Sequence, residues 1–301
     1  RTHPGHDRLG STAVKFANFA GRAVVTDGTR AVYVADASNG KFADEPNRIY
    51  GEWDEFVEWA QTVNLTEGFE LDRSKLEAPS PQPRQVFAIG LNYAEHARES
   101  GLDEPTEPAV FTKFPSSVTG PDTVLELPTD TVDFEAELVA VVGRYSYRVP
   151  ESAAWDHIAG LTVGQDISER TRQLIGPAPQ FSLGKSFPGF SPTGPWIVTP
   201  DELDHRDDLG SGCSINGQIM QDGRTDDLIF SVPQIVAKLS AILPLLPGDL
   251  IFTGTPSGVG GARKPPVFLR NGDILETRVE GIGTITSTCR TGTPYPPTDE
   301  S

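Results

Sequence analysis

Carboxylates and one histidine are the residues of this 301-residue chain whose types and spacing suggest chemistry. In Asp133-Phe-Glu135-Ala-Glu137-Leu, acids alternate with apolar residues. Strand side chains alternate between faces, so Asp133, Glu135 and Glu137 are expected on one face. The run LVAVVG that follows reads as a buried strand. Stacked carboxylates on such a strand repel and lose hydration unless a cation compensates. The other reading is an edge strand with a solvated acidic face. Asp166 ends the apolar run GLTVGQ. With Glu135 and Glu137 it would supply an all-oxygen site, the chemistry of Mg²⁺ or Mn²⁺ with positions left for water and substrate. Alternatively, Asp166 caps the next helix.

A second group lies in NYAEHARE. On a helix, His96 and Glu99 face the same side. A carboxylate on one imidazole nitrogen fixes the tautomer and makes the other nitrogen a better base, fit to deprotonate water. A solvated i,i+3 pair is the plainer reading. Lys185 lies in a stretch dense in Gly and Pro, GKSFPGFSPTGP. There it meets a substrate carboxylate or a developing oxyanion, or is an ordinary solvated lysine. FTGTPSGVG lacks the lysine of a phosphate loop. Its backbone amides, with the Thr255 hydroxyl, can still cradle a carboxylate. GxSxG, HExxH and GxGxxG are absent.

Around these residues the chain divides by pattern. Residues 1–12 read as a disordered or trimmed leading segment. Residues 13–78 read as a small N-terminal domain: a short antiparallel meander, then an amphipathic helix in WDEFVEWAQTV. Residues 79–84, with Pro79, Pro81 and Pro83, read as a stiff extended linker. Residues 85–290 form the larger domain, with strands in VFAIG, FEAELVAVVG and HIAGLTVGQDIS. Asn216-Gly217 marks a hairpin. SVPQIVAKLSAIL is the clearest helix, capped by Ser231, with Val232, Ile235, Val236, Leu239, Ile242 and Leu243 on one face. ILETRVEGIGTITSTC closes the domain as a hairpin, and 291–301 is a flexible tail. Strands outnumber helices without βαβ alternation, so the fold class is β-rich α+β.

Composition narrows the function. Forty-two acidic and 25 basic residues leave a net charge of −17, which argues against nucleic acid and anionic membrane surfaces. No stretch approaches the length of an apolar membrane span. Cys213 and Cys289 make no disulfide framework or zinc cluster and suit a reducing, cytoplasmic setting.

Eight segments in order, IGLNYAEHARESG, FTKFPSSVTGP, VDFEAELVAVVG, GLTVGQDIS, GKSF, NGQIMQDGRTDDLIF, LLPGDLIFTGTPSGVG and NGDILETRVEGIG, resemble the fumarylacetoacetate hydrolase family over roughly residues 84–290. The block before them looks like the small N-terminal domain of bacterial two-domain members. The resemblance implies a mixed β-sandwich roll around one Mg²⁺ or Mn²⁺ per subunit (Ca²⁺ can replace it in crystals), in a homodimer. The family's metal ligands fall on Glu135, Glu137 and Asp166, and its base pair on His96 and Glu99, in a lid. Lys185, Gln221 and Thr255 match substrate-touching positions. Tyr93 and Arg170 lie near the pocket in the pattern. Lys113 and Ser116 match a further motif without an assigned role. Many relatives continue GKSF with Asp where this chain has Pro188, which bears on the pocket beside Lys185. The implied activity is metal-dependent hydrolysis of a C–C bond in a β-diketo acid, an acylpyruvate, giving pyruvate and a carboxylic acid. Enol–keto isomerisation, oxaloacetate-type decarboxylation and metal or ligand binding without turnover are the alternatives.

Overall fold

Apolar–polar alternation in KFANF, RAVVT and RAVY builds the antiparallel strands Lys15–Phe19, Arg22–Thr26 and Arg30–Tyr33. The first turn is tight, with Ala20 and Gly21 at φ 51° and 83°, and glycine takes such a φ without steric cost. The computed structural model describes residues 15–99 and 103–295. The leading 1–12 segment and residues 296–301 of the tail lie outside them.

The meander is continuous with the larger sheet. Lys15 pairs with Val198, and the order runs on through Ser191–Val198, Ile158–Gln165, Ala136–Val142, Leu250–Phe252, Val86–Gly90 and Ala109–Thr112. Among the described residues this is a twelve-stranded sheet. The segment expected to be a linker is packed against both sides of the junction. Asn18 donates to the Ala78 carbonyl (3.0 Å), Tyr50 to that of Pro79 (2.9 Å), and Ser80 to that of Gly248 (2.7 Å).

Ala136–Val142, Ile158–Gln165 and Ser191–Val198 are buried along their whole length. Both faces are covered, so these strands read as apolar runs. Leu138, Ala140 and Val142 join one core with Leu161, Val163 and the helix Val232–Ser240. Val139 and Val141 join the other, with Phe252 and the aromatic group Phe16, Tyr50, Trp53 and Phe56. A second sheet of five strands is Gln218–Arg224, Gly210–Ile215, Ile274–Val279, Gly283–Thr291 and Asp122–Leu127. It packs Leu125, Cys213, Leu275 and Cys289 against Phe134, Ala136, Ile167 and Phe190. The result is the strand-rich α+β fold expected. The Asn216-Gly217 hairpin forms, with φ 51° and 81°. Both cysteines are free and buried, and burial pushes each thiol up to about 12.

The helix Val232–Ser240 begins as expected. Ser231 and Gln234 form a capping box, with Pro233 in the first turn. Val232, Ile235, Val236 and Leu239 are buried. Ile242 is not: the helix ends at Ser240, so the helical face does not reach it and it is 80% exposed. Ser231→Ala should cost about 1 kcal/mol, read as a drop in melting temperature; an unchanged melt would show that the cap contributes nothing.

Candidate active site and metal centre

The site forms where two buried strands end. Ala136 pairs with Gln165 and Glu137 with Gly164. Beyond them the ladder stops: Phe134 and Glu135 lie in no strand, and Val132–Asp133 pairs instead with Ser168–Glu169. The break is held by the Glu135 amide on the Gln165 side-chain oxygen (2.8 Å) and the Asp166 amide on the Glu135 carbonyl (2.9 Å). It brings Glu135 beside Glu137 and Asp166, one oxygen of each within 4.8 Å of the others, all three residues buried. Across the break Asp133 stays beside Glu135, since one Arg170 nitrogen touches both, while Phe134 and Ala136 join one apolar cluster. Asp133 is outside the trio itself and is held by Arg170 and by the Gly260 and Gly261 amides. Asp166 caps no helix. Glu169 caps Arg170–Gln173, accepting from the Thr171 and Arg172 amides.

Three cations face these acids. Lys185 is buried, not solvated, and donates to Glu135 Oε2 (2.8 Å) and Asp166 Oδ2 (2.7 Å). Lys113 donates to Asp166 Oδ1 and to the Lys185 carbonyl, both at 2.5 Å. Arg170 Nη2 bridges Asp133 Oδ2 (2.7 Å) and Glu135 Oε1 (2.8 Å). Four carboxylates against three cations leave one negative charge among these described groups. Burial would raise Glu135, but Lys185 and Arg170 outweigh it and hold its carboxyl at about 2. Among the described residues, Glu137 accepts a hydrogen bond from the Gly254 amide (2.8 Å). Burial, then Asp166 and Glu135, push it well above the ordinary carboxylate range. Burial opposes the Lys185 charge, yet Asp166 and Glu135 raise it overall. Burial lowers Lys113 against the pull of Asp166.

The loop after Phe252 cradles a carboxylate, and that carboxylate is the chain's own Glu137. Gly254 sits at φ 109°, and a Cβ there would lie 2.7 Å from that of Asn92. Gln221 and Thr255 clamp the residue between the two glutamates. Gln221 Oε1 accepts the Ala136 amide (2.9 Å), Thr255 donates to the Ala136 carbonyl (2.9 Å), and Gln221 Nε2 donates to Thr255 (2.7 Å).

His96 and Glu99 lie on the helix Ala94–Glu99, with Nδ1 3.3 Å from Glu99 Oε2. The same oxygen accepts the Gly258 amide (3.1 Å). Their side chains are 13% and 28% exposed, so the pair stands at the water edge of a buried charge cluster. His96 also exerts a minor pull on Glu135. Residues 100–102, the continuation of the expected lid, lie outside the described residues. Tyr93 is buried, its hydroxyl has no hydrogen-bond partner among the described residues, and burial followed by the Glu137 charge raises its pKa. Pro188 lines a groove with Thr119, Val124, Phe187 and Tyr295, which includes none of the metal-site carboxylates.

Two participants, Gln173 and Lys113, have no role assigned from the sequence. Gln173 accepts from Arg170 Nη1 (2.9 Å); its signal was the i,i+3 spacing in RTRQ. Lys113 had a motif but no role, although a lysine between two phenylalanines in FTKF is a candidate for a buried charge.

The donor set fits a divalent cation. It is all oxygen, its carboxylates formally outnumber the facing cations by one, and the buried Tyr93 hydroxyl beside it has no partner among the described residues. No described helix is long and apolar enough to cross a membrane.

Fold and site together define a strand-rich roll with a buried carboxylate trio, able to hold a metal ion, at the end of its buried strands. Residues 85–290 match the family model for Fumarylacetoacetate (FAA) hydrolase C-terminal, and the chain belongs to the fumarylacetoacetate hydrolase family. It is similar to the crystal structure of a putative HpcE protein from Mycobacterium smegmatis: 50% identity, TM-score 0.88, covering 92% of this chain and 99% of that one. It is 40% identical over 210 residues to the oxaloacetate tautomerase FAHD2A, mitochondrial, of Homo sapiens, across 69% of this chain and 67% of that protein. A fumarylpyruvate hydrolase from Pseudomonas aeruginosa, solved with Mn²⁺ and pyruvate, is 31% identical with TM-score 0.64, over 70% of this chain and 91% of that one.

Proposed function

We propose that this protein hydrolyses the C–C bond of an acylpyruvate with the help of Mg²⁺ or Mn²⁺ held by Glu135, Glu137 and Asp166. The observation that carries the reading is the His96–Glu99 pair, oriented by the Gly258 amide at the exposed edge of the carboxylate cluster. When bound, the cation would polarise the oxo-acid end of the substrate. Glu99 holds Nδ1–H of His96, so Nε2 is the free base. His96 Nε2 takes a proton from water, and the hydroxide attacks the distal carbonyl carbon. The bond to the pyruvyl carbon breaks and its electron pair stays on that carbon. The imidazolium of His96 returns the proton there, giving pyruvate and a carboxylic acid. Tyr93, with its free hydroxyl, and Arg170, partly exposed, are proposed to meet substrate oxygens. Lys185, Gln221 and Thr255 act from behind, by fixing the carboxylates and the Ala136 backbone between them.

Keto–enol tautomerisation of oxaloacetate is the second reading, favoured by the 40% identity to an oxaloacetate tautomerase. It uses the same base to move a proton between carbon and oxygen and consumes no water. The test is a panel of acetylpyruvate, fumarylpyruvate, oxaloacetate and diketo-deoxy sugar acids with Mn²⁺ in ¹⁸O-water, read by mass spectrometry. Hydrolysis places ¹⁸O in the carboxylic acid product. Fast enol–keto exchange of oxaloacetate with no acylpyruvate cleaved would replace the hydrolase reading by the tautomerase one.

A further inference from the structure

We propose that Asp133, which is not a metal ligand, is a positioning residue that keeps Arg170 from neutralising Glu135; this rests on Glu135 being a ligand in the reading above. Asp133 is fully buried and its acceptor capacity is used up. Oδ1 takes the Phe134 amide (2.7 Å) and the Gly260 amide (2.8 Å). Oδ2 takes the Gly261 amide (2.8 Å), Arg170 Nε (2.8 Å) and Arg170 Nη2 (2.7 Å). No lone pair is left for an ion.

Arg170 thus divides its charge. Two of its donors go to Asp133, one bond reaches Glu135 Oε1, and Nη1 goes to Gln173. Glu135 already carries Lys185 on its other oxygen. Without the Asp133 charge, the guanidinium would fall wholly on Glu135, which already shares Lys185 with Asp166, leaving little negative charge for a metal. The same side chain ties this balance to the base pair. Gly260 and Gly261 are pinned by Asp133, and their neighbour Gly258 holds Glu99. The loop must come this close: a Cβ on Gly260 would lie 2.6 Å from Asp133 Oδ1, and one on Gly261 3.2 Å from Oδ2.

The test is titration of Mn²⁺ by calorimetry into metal-stripped wild type, Asp133→Asn, Arg170→Gln and the double variant, with melting curves for each. Asp133→Asn should weaken Mn²⁺ binding about 10–100-fold, the usual effect of losing a group behind a ligand. Arg170→Gln should bind at least as tightly as wild type. The double variant should return to within about threefold of Arg170→Gln, because Asp133 acts through Arg170. A merely structural role would lower melting without this rescue. Wild-type affinity in Asp133→Asn, or an undiminished loss in the double variant, overturns the proposal. If Asp133→Asn does not fold, weaker binding by Arg170→Gln overturns it. A wild type that takes up no Mn²⁺ overturns both readings, whereas one that binds Mn²⁺ and turns over no oxo acid overturns only the catalytic one.

Discussion

Replacing His96 with alanine should lower water-dependent cleavage of an acylpyruvate by about 10²–10⁴-fold, the range for loss of a general base. Mn²⁺ affinity should stay near wild type, because His96 is outside the carboxylate trio. Glu99→Gln should cost less, since the imidazole remains and the Gln oxygen can still accept Nδ1–H and the Gly258 amide. Any decarboxylation of oxaloacetate should depend less on the pair, as it needs no nucleophilic water. The measurement is kcat on each substrate with metal content checked in every variant. A His96→Ala protein that keeps its metal and cleaves at the wild-type rate leaves the mechanism without its base.

The second large effect concerns the cation. Chelation by EDTA should abolish turnover and lower the melting temperature, with Mg²⁺ or Mn²⁺ restoring both. A ligand at a hundred times its Kd stabilises the folded state by about 2.7 kcal/mol. Glu137→Gln separates ligation from folding. Among the described residues Glu137 makes no ion pair, and a Gln oxygen can still accept the Gly254 amide. The metal-free variant should therefore melt no lower than metal-free wild type, yet gain nothing from added Mn²⁺. Full activity in protein shown by elemental analysis to hold no metal would remove the metal from the mechanism.

Much of this site was legible in residue order. Glu135, Glu137 and Asp166 followed from spacing and oxygen chemistry, because strand alternation is a local property. What alternation could not tell is that Asp133 is taken up by Arg170 and by the Gly260 and Gly261 amides, partners that lie far off in the chain. For Lys185 the loop GKSFPGFSPTGP offers a substrate-facing lysine or a solvated one, because the acids that hold it, Glu135 and Asp166, lie elsewhere in the chain. The prolines of 79–84 read as a stiff extended linker, whereas the partners of that segment, Tyr50 and Gly248, lie far off in the chain. Ile242 fitted the helical period, but Ser240 ends the helix before that period applies. Short-range pattern carried the elements; tertiary hydrogen bonds decided which acids meet.

The pairing of Lys15 with Val198 has a consequence for synthesis. Lys15–Phe19 leaves the ribosome long before Ser191–Val198 exists. Leu76–Glu77 covers Asn18 and Phe19 earlier, but until Ser191–Val198 arrives the Lys15–Phe16 end is unpaired, and an open edge is a template for other chains. The Asp122–Leu127 strand waits in the same way for Gly283–Thr291, with which it runs in parallel. Such distant pairings close slowly, since loop-closure entropy is lost before the contact forms. Partly made chains will therefore expose two strand edges at once, and yield on expression should depend on how long they remain open.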